Sequence, residues 1–364
     1  MKILVLANND IGLYKFRREL LEALLEKNHE VTIALPDGEF VPAMREMGCK
    51  FIETPLERRG MNPISEFKLY SLYRRILREV GPDAVLTYTI KPNIYGGMAC
   101  AAAGIPYITN ITGLGTALEH EGALQKILLQ LYAFGLRKAQ KVFFQNAENQ
   151  NYMLLRRVVK GNHGLLPGSG VNITENGFQA YPEDTHKLVF TTVGRIMKDK
   201  GTDELLAAAR EIKKKHPQIT FRLIGFFDED YQEKVGEAVK EGIIEYIKTQ
   251  KDVRPWYGAS HAIIHPSYHE GMSNVLLEAA AAGRPVLASD VPGCRETFED
   301  GVSGFGFMPR DTTALTAAIE TFIALPYAQK ATMGAAGRRK MEREFDRQIV
   351  VNAYLHELDF LKIP

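Results

Sequence analysis

The sequence predicts an α/β protein built from two doubly wound, parallel-sheet domains in tandem. Three observations carry that prediction. Short apolar runs alternate with helix-period stretches, the alternation restarts at HKLVFTTVGR (186–195), and a Gly/Pro/Asn/Ser-rich stretch, LLPGSGVNITENGFQAYPED, precedes the restart. Parallel strands are buried on both faces and read as continuous apolar runs, and the helices between them supply the crossovers. At 364 residues the chain is also longer than one core usually fills. The boundary is expected near residue 175: one domain over 1–175, a second over 176–345, and a C-terminal helix over 346–364 packing back on the first.

In the first domain KILVLANN is a strand ending in polar residues, YKFRRELLEALLEKNH has helical period, and EVTIALP returns to strand. GCKFIETPL, a helix from about Pro63 to Val80, DAVLTYT, the small-residue helix YGGMACAAAG, IPYITNITG, an apolar helix near 122–139 and KVFFQN continue the pattern. The second domain runs LVFTTVGR, the helix TDELLAAAREIKKKH, ITFRLIG, a helix near 229–241, GIIEYIKT and HAIIHPS. A helix from about Asn274 to Ala282 follows, stopped by Gly283 and Pro285, then RPVLASD, GFGFMP and a helical pattern from LTAAIETFIAL onward. Two such domains are expected to turn the carboxyl ends of their sheets toward a shared cleft, where α/β proteins bind ligands.

Composition narrows the class. With 45% hydrophobic and 24% charged residues the chain is a folded globular protein. Three widely separated cysteines, Cys49, Cys100 and Cys294, argue against a disulfide framework or zinc cluster and for a reducing compartment. The opening apolar run is too short for a signal-peptide core, and no stretch approaches the ~18 apolar residues of a membrane span. A cytoplasmic protein is expected. The turn after the first strand, NNDIGLYKF, lacks G-x-G-x-x-G, which disfavours a dehydrogenase. Charge is uneven: residues 56–161 carry 14 Lys and Arg against 7 Asp and Glu, although the whole chain is only +1. Arg58, Arg59, Lys68, Arg74, Arg75, Arg78, Arg156, Arg157 and Lys160 lie among Phe, Tyr and Leu, a pattern open to an ordinary solvated face or to anionic lipid headgroups. No base-reading motif accompanies them, so nucleic acid is not an expected partner.

The chemistry concentrates in the second domain. HPSYHEGMSNVLLEAAAAGRPV places Glu270 in a glycine-containing loop and Glu278 on the apolar helix that follows. A buried carboxylate there needs a partner. The helix start offers free amides to an anion, and a carboxylate beside it suits sugar hydroxyls, so a nucleotide diphosphate sugar satisfies both; a capped helix with one ion-paired glutamate satisfies the residues equally. VGRIMKDKG sends Arg195 and Lys200 out of a strand end, where cations clamp a diphosphate and stabilise charge on a departing phosphate. In FFDED, Asp228 and Asp230 have spacing that invites a metal, but an acidic first turn of the following helix is the simpler account.

VGRIMKDKG, IGFFDED and DVRPWYGASHAIIHPSYHEGMSNVLLEAAAAGRPVLASDVPGCRETFEDGVSGFGF, in this order, resemble the retaining nucleotide-sugar glycosyltransferases of family 4, which have the GT-B fold of two Rossmann-like domains facing a central cleft. IGLYKFRRELLEALLEKNHEVTIALP and NITGLGTALE extend the resemblance to the first domain. It implies an acceptor-binding N-terminal domain, a donor-binding C-terminal domain, a UDP-sugar donor, and neither metal nor cofactor. It assigns Arg195 and Lys200 to the donor diphosphate, Glu270 to the reacting sugar, and Glu278 to the ribose. Gly271, Met272, Ser273 and Asn274 would contact sugar and phosphate, Asp252 and Val253 the base, and Gly12 would face the donor from a glycine loop after the first strand. One departure stands out: many members carry a His-Gly pair where this chain reads Thr112-Gly113, and His120 does not inherit that place. IGLYKFR, the NP before a helix and the GLG loop are most similar to transferases that extend sugars on a polyprenyl diphosphate. That similarity implies a lipid-linked or saccharide acceptor and peripheral contact with the cytoplasmic face of the membrane. A GT-B UDP-sugar 2-epimerase and a non-catalytic nucleotide-sugar-binding subunit are the rival expectations.

Overall fold

The computed structural model describes residues 1–56, 62–114, 122–183 and 187–361. The chain divides into two compact units, one of Met1–Ser169 with Arg347–Pro364, the other of Gly170–Asp346. The first crossing lies at 169/170 rather than near 175.

Unit 1 is wound from β1 (Lys2–Leu6), α1 (Asp10–Glu26), β2 (Glu30–Leu35), α2 (Val41–Glu46), β3 (Lys50–Glu53), α3 (Pro63–Val80) and β4 (Ala84–Tyr88). A π-turn at Pro92–Gly96 then leads into α4 (Gly97–Ala103), followed by β5 (Tyr107–Ile111), α5 (Ala123–Leu136), β6 (Lys141–Phe144), α6 (Ala147–Leu155) and β7 (His163–Leu165). Every pairing is parallel, in the order β3-β2-β1-β4-β5-β6-β7. The central strands are buried along nearly their whole length, as their unbroken apolar character requires. α4 and α5 cross at backbone contact: a Cβ on Gly97 would lie 2.2 Å from the Gly135 carbonyl oxygen, so only glycine fits there. α13 (Arg347–Phe360) closes the unit. Its Val350, Val351, Tyr354 and Leu358 join the core over β1 and β2, Asn110 donates to the Tyr354 hydroxyl at 2.9 Å, and Arg347 pairs with Glu19 at 2.9 Å.

Unit 2 contains β8 (Val189–Val193), α7 (Thr202–Lys215), β9 (Thr220–Ile224), α8 (Gln232–Lys240), β10 (Glu245–Ile247), α9 (Arg254–Gly258) and β11 (Ala262–His265). It continues through α10 (Asn274–Ala281), β12 (Val286–Ser289), β13 (Gly304–Phe307), α11 (Thr312–Ala324) and α12 (Tyr327–Lys340). Its parallel sheet has the order β10-β9-β8-β11-β12-β13, so the winding reverses between β8 and β11. The single C-terminal helical pattern resolves into α11, α12 and α13, because Pro326 and the extended Asp346 each interrupt it. Among the described residues no helix is long and apolar enough to cross a membrane.

Candidate functional site

The residues singled out from the second half lie beyond the carboxyl ends of successive strands of the unit 2 sheet. Ligands of open α/β sheets bind outside those ends where the winding reverses, here between β8 and β11. Lys200 follows β8 on a short 3-10 turn, Lys198–Lys200, and Gly201 then takes the left-handed conformation at φ +68. A Cβ on Gly201 would sit 2.1 Å from the Pro266 carbonyl oxygen, so the turn lies flush against the loop that leaves β11. That contact delivers the lysine: its Nζ stands 2.5 Å from Glu270 Oε1 and donates to Ser267 Oγ at 3.3 Å.

His265, the last residue of β11, joins the cluster. Its Nε2 lies 2.9 Å from Glu270 Oε1 and 3.1 Å from Ser273 Oγ. Burial would raise the Glu270 carboxyl, but the ammonium of Lys200 and the hydrogen-bonding ring of His265 outweigh it and hold the group well below the usual carboxylate range. His265 was not among the candidates; the available signal was a single polar side chain closing an otherwise apolar strand, AIIH.

Ser273 caps α10, its hydroxyl accepting from the Leu276 amide, and its own amide donates to the Gly293 carbonyl at 2.8 Å. The next two amides, of Asn274 and Val275, have no partner among the described residues, as expected at a helix start. Asn274 Oδ1 is buried without a hydrogen-bond partner. The Met272 side chain packs into a core with Val171, Leu277, Ala280, Met341 and Phe345, leaving its backbone at the loop. Glu278 finds the partner its setting demands in the buried Tyr257, whose hydroxyl donates to Oε2 at 3.1 Å. Burial, and then the neighbouring Glu278 charge, push that phenol far above its ordinary range.

Arg195 has its own carboxylate partner. Its NH1 pairs with Asp228 Oδ2 at 2.7 Å, and nearly half of its side chain is exposed. This replaces the simple reading of Asp228 as a helix-start acid, because α8 begins only at Gln232. Asp252 is engaged by Arg254, whose backbone amide, Nε and NH2 all donate to its carboxylate, and Val253 packs against the core under α9. Among the described residues no three His, Cys, Asp or Glu side chains gather as metal ligands.

Gly12, in unit 1, is corrected in position. It belongs to the first turn of α1, not to a loop, and its amide donates to the capping Asn9 side chain at 2.6 Å. Thr112 and Gly113 follow β5 directly, while His120, Arg58 and Arg59 lie outside the described residues. Arg284, fully buried in unit 2, also escaped notice. It donates to the carbonyls of Tyr257, Gly258, Gln179, Ala180 and Gly283, and burial pulls its guanidinium down to about 10.

A tandem of doubly wound sheets with cations and a carboxylate at the reversal in the second one defines a class, and comparison with known proteins agrees. Residues 187–324 match the model for glycosyl transferases group 1, and residues 2–146 the model for glycosyl transferase 4-like domains. The chain belongs to the family 4 glycosyltransferases, with the GT-B fold. It is 24% identical, over 99% of its length and 98% of the relative's, to N,N'-diacetylbacillosaminyl-diphospho-undecaprenol alpha-1,3-N-acetylgalactosaminyltransferase of Campylobacter jejuni. Sucrose-phosphate synthase from Thermosynechococcus elongatus shares its fold, with 21% identity, 99% of each chain covered and a TM-score of 0.81. Anabaena HepE, solved with UDP-glucose, does so at 19% identity over 98% of this chain and 99% of its own, with a TM-score of 0.78.

Proposed function

We propose that this glycosyltransferase moves a hexose or N-acetylhexosamine, with N-acetylgalactosamine the first choice, from a UDP-sugar to a hydroxyl of a lipid-linked or saccharide acceptor in surface-polysaccharide or glycan biosynthesis. It does so with retention and without metal or cofactor, at the cytoplasmic face of the membrane. The observation that carries the reading is the Lys200–Glu270 pair beside the open first turn of α10, at the reversal of the unit 2 sheet. A diphosphate at that turn meets two amides and an ammonium, the arrangement that binds anions at helix starts.

In this reading the bond from the anomeric carbon to the diphosphate oxygen breaks, and Lys200 and Arg195 neutralise the charge left on the phosphate. The acceptor hydroxyl bonds to the same carbon from the face the diphosphate leaves, and its proton passes to the departing phosphate oxygen. Glu270, kept ionised by Lys200 and His265, accepts from donor-sugar hydroxyls. Glu278, oriented by Tyr257, accepts from the ribose, and the backbone of Gly271 to Asn274 lines the sugar and phosphate. Asp252 and Val253 border the base.

The test screens UDP-sugars for thermal stabilisation, then scores UDP release with a polyprenyl-diphosphate-linked sugar. Transfer is expected, with Lys200→Ala and Arg195→Ala each lowering it by about 10²–10³-fold or more. Near-normal transfer by both variants would remove the clamp. An epimer formed from UDP-N-acetylglucosamine alone, or tight UDP-sugar binding without UDP release, would replace the proposal with its two rivals.

A further inference from the structure

The strongest unassigned feature lies wholly within unit 1. α5 is apolar on two sides. Leu128, Tyr132 and Leu136 pack into the core, while Leu124, Ile127 and Phe134 stand at least half exposed on the other side, at spacings of three and seven residues that keep them on one helical stripe. α3 repeats the arrangement at its start: Leu69, Tyr73 and Ile76 are buried, whereas Ile64 and Phe67 are 68% and 69% exposed. The stripes meet at a cavity of about 400 Å³ lined by Phe67, Tyr70, Tyr95, Met98, Phe134 and Arg137. A helix apolar all round belongs in a core or in lipid, and among the described residues of unit 1 nothing covers this side of α5.

Charge selects the occupant. Around the stripes Lys68, Arg74, Arg75 and Arg78 on α3, Lys126 on α5 and Arg137 just after it are all exposed. Against them stands one exposed acid on these two helices, Glu79, which is 3.7 Å from Arg75; Glu66 is buried and paired with Lys91 at 2.7 Å. A chain with a net charge of only +1 has therefore gathered its cations around its exposed aromatic and aliphatic side chains. That is the composition of an interfacial surface, with rings and alkyl groups entering the acyl boundary and cations meeting headgroups.

We infer that the α3–α5 face of unit 1 docks on an anionic lipid bilayer, with Phe67 and Phe134 inserted and the cavity between them open to the acyl region. The inference takes its purpose from the lipid-linked form of the acceptor proposed above, and its test separates the two. The full chain is floated with vesicles of phosphatidylcholine alone and of phosphatidylcholine with phosphatidylglycerol, at low and at 0.5 M added salt (about three times physiological ionic strength). Binding is expected only to the anionic vesicles and is weakened by salt. Phe67→Ser with Phe134→Ser should lower it by about tenfold or more, and Arg74→Glu with Arg75→Glu should abolish it. Because all four side chains are at the surface, circular dichroism and the melting temperature should match wild type. Release of UDP with a short-chain, water-soluble acceptor should persist in the Phe variant.

Equal binding to both vesicle types, no binding, or an unchanged Phe variant would overturn the inference. So would a wild-type dimer that the Phe substitutions disperse, which would show that a second copy covers the face. Vesicle binding without any sugar transfer would refute the proposed reaction and leave the docking surface standing.

Discussion

Replacing Lys200 by alanine tests whether the cation and Glu270 hold one another before any donor arrives. Lys200 is 21% exposed and Glu270 16%, so the pair is mostly withdrawn from water. Removing one member of a buried pair costs about 3–5 kcal/mol; with this residual exposure and His265 still 2.9 Å from the carboxylate, about 2–3 kcal/mol is the expected loss at pH 7. The pH dependence gives a second handle. Glu270 is depressed in the folded state, so its contribution is complete above the unfolded carboxylate value of about 4.3 and drains away as pH falls towards its lower folded value. Alanine at 200 weakens that depression, so the gap between the two proteins should hold above the unfolded value of about 4.3 and narrow as pH falls from there towards the lower folded value of the wild type. The chain's one tryptophan, Trp256, lies on α9, so its fluorescence in a urea titration follows unit 2 alone. A loss below about 0.5 kcal/mol, the size of an exposed pair, or one that stays constant across that pH range, would refute the pairing.

Tyr257→Phe removes the donor to Glu278 and should weaken UDP binding by about fivefold, near 1 kcal/mol, in a calorimetric titration, with little change in stability. Arg284→Met strands five backbone carbonyls and should cost about 3–5 kcal/mol in the Trp256 titration. Gly201→Ala drives a methyl into the Pro266 carbonyl and should displace Lys200; UDP release should fall by at least about tenfold while unit 2 stays folded. For His265→Ala, loss of one of two groups holding Glu270 should lower kcat more than donor KM and shift the acid limb of the rate profile upward.

Much of the architecture was legible because parallel strands buried on both faces leave unbroken apolar runs, and KILVL, AVLTY and AIIH could hardly be anything else. The loop after β11 and the helix start at Asn274 were legible too, since Ser, Gly and Asn before an apolar octet mark a capped entry. What escaped reading depends on register. Arg195 and Asp228 meet because β8 and β9 lie side by side, with Val193 opposite Ile224, and both chains overrun those ends by a few residues. Arg284 resembles an ordinary residue in a Gly-x-Pro helix stop; only the path of residues 179–180 gives its guanidinium carbonyls to bind. Gly12 misled because a glycine near a strand end suggests a turn, whereas Asn9 had already started the helix.

The closing helix of unit 1 carries a consequence for biosynthesis. Val171 pairs with Asp346, so the chain leaves unit 1 and returns to it through adjacent points, with all of unit 2 strung between. On the ribosome, the segment bearing Tyr354 emerges only after that whole stretch has been made, a delay on the order of ten seconds or more at roughly 5–20 residues per second. Until then Tyr88 and Phe143, which the Tyr354 ring later covers, face water. Nascent chains should therefore present a finished second lobe attached to an open, chaperone-seeking first one.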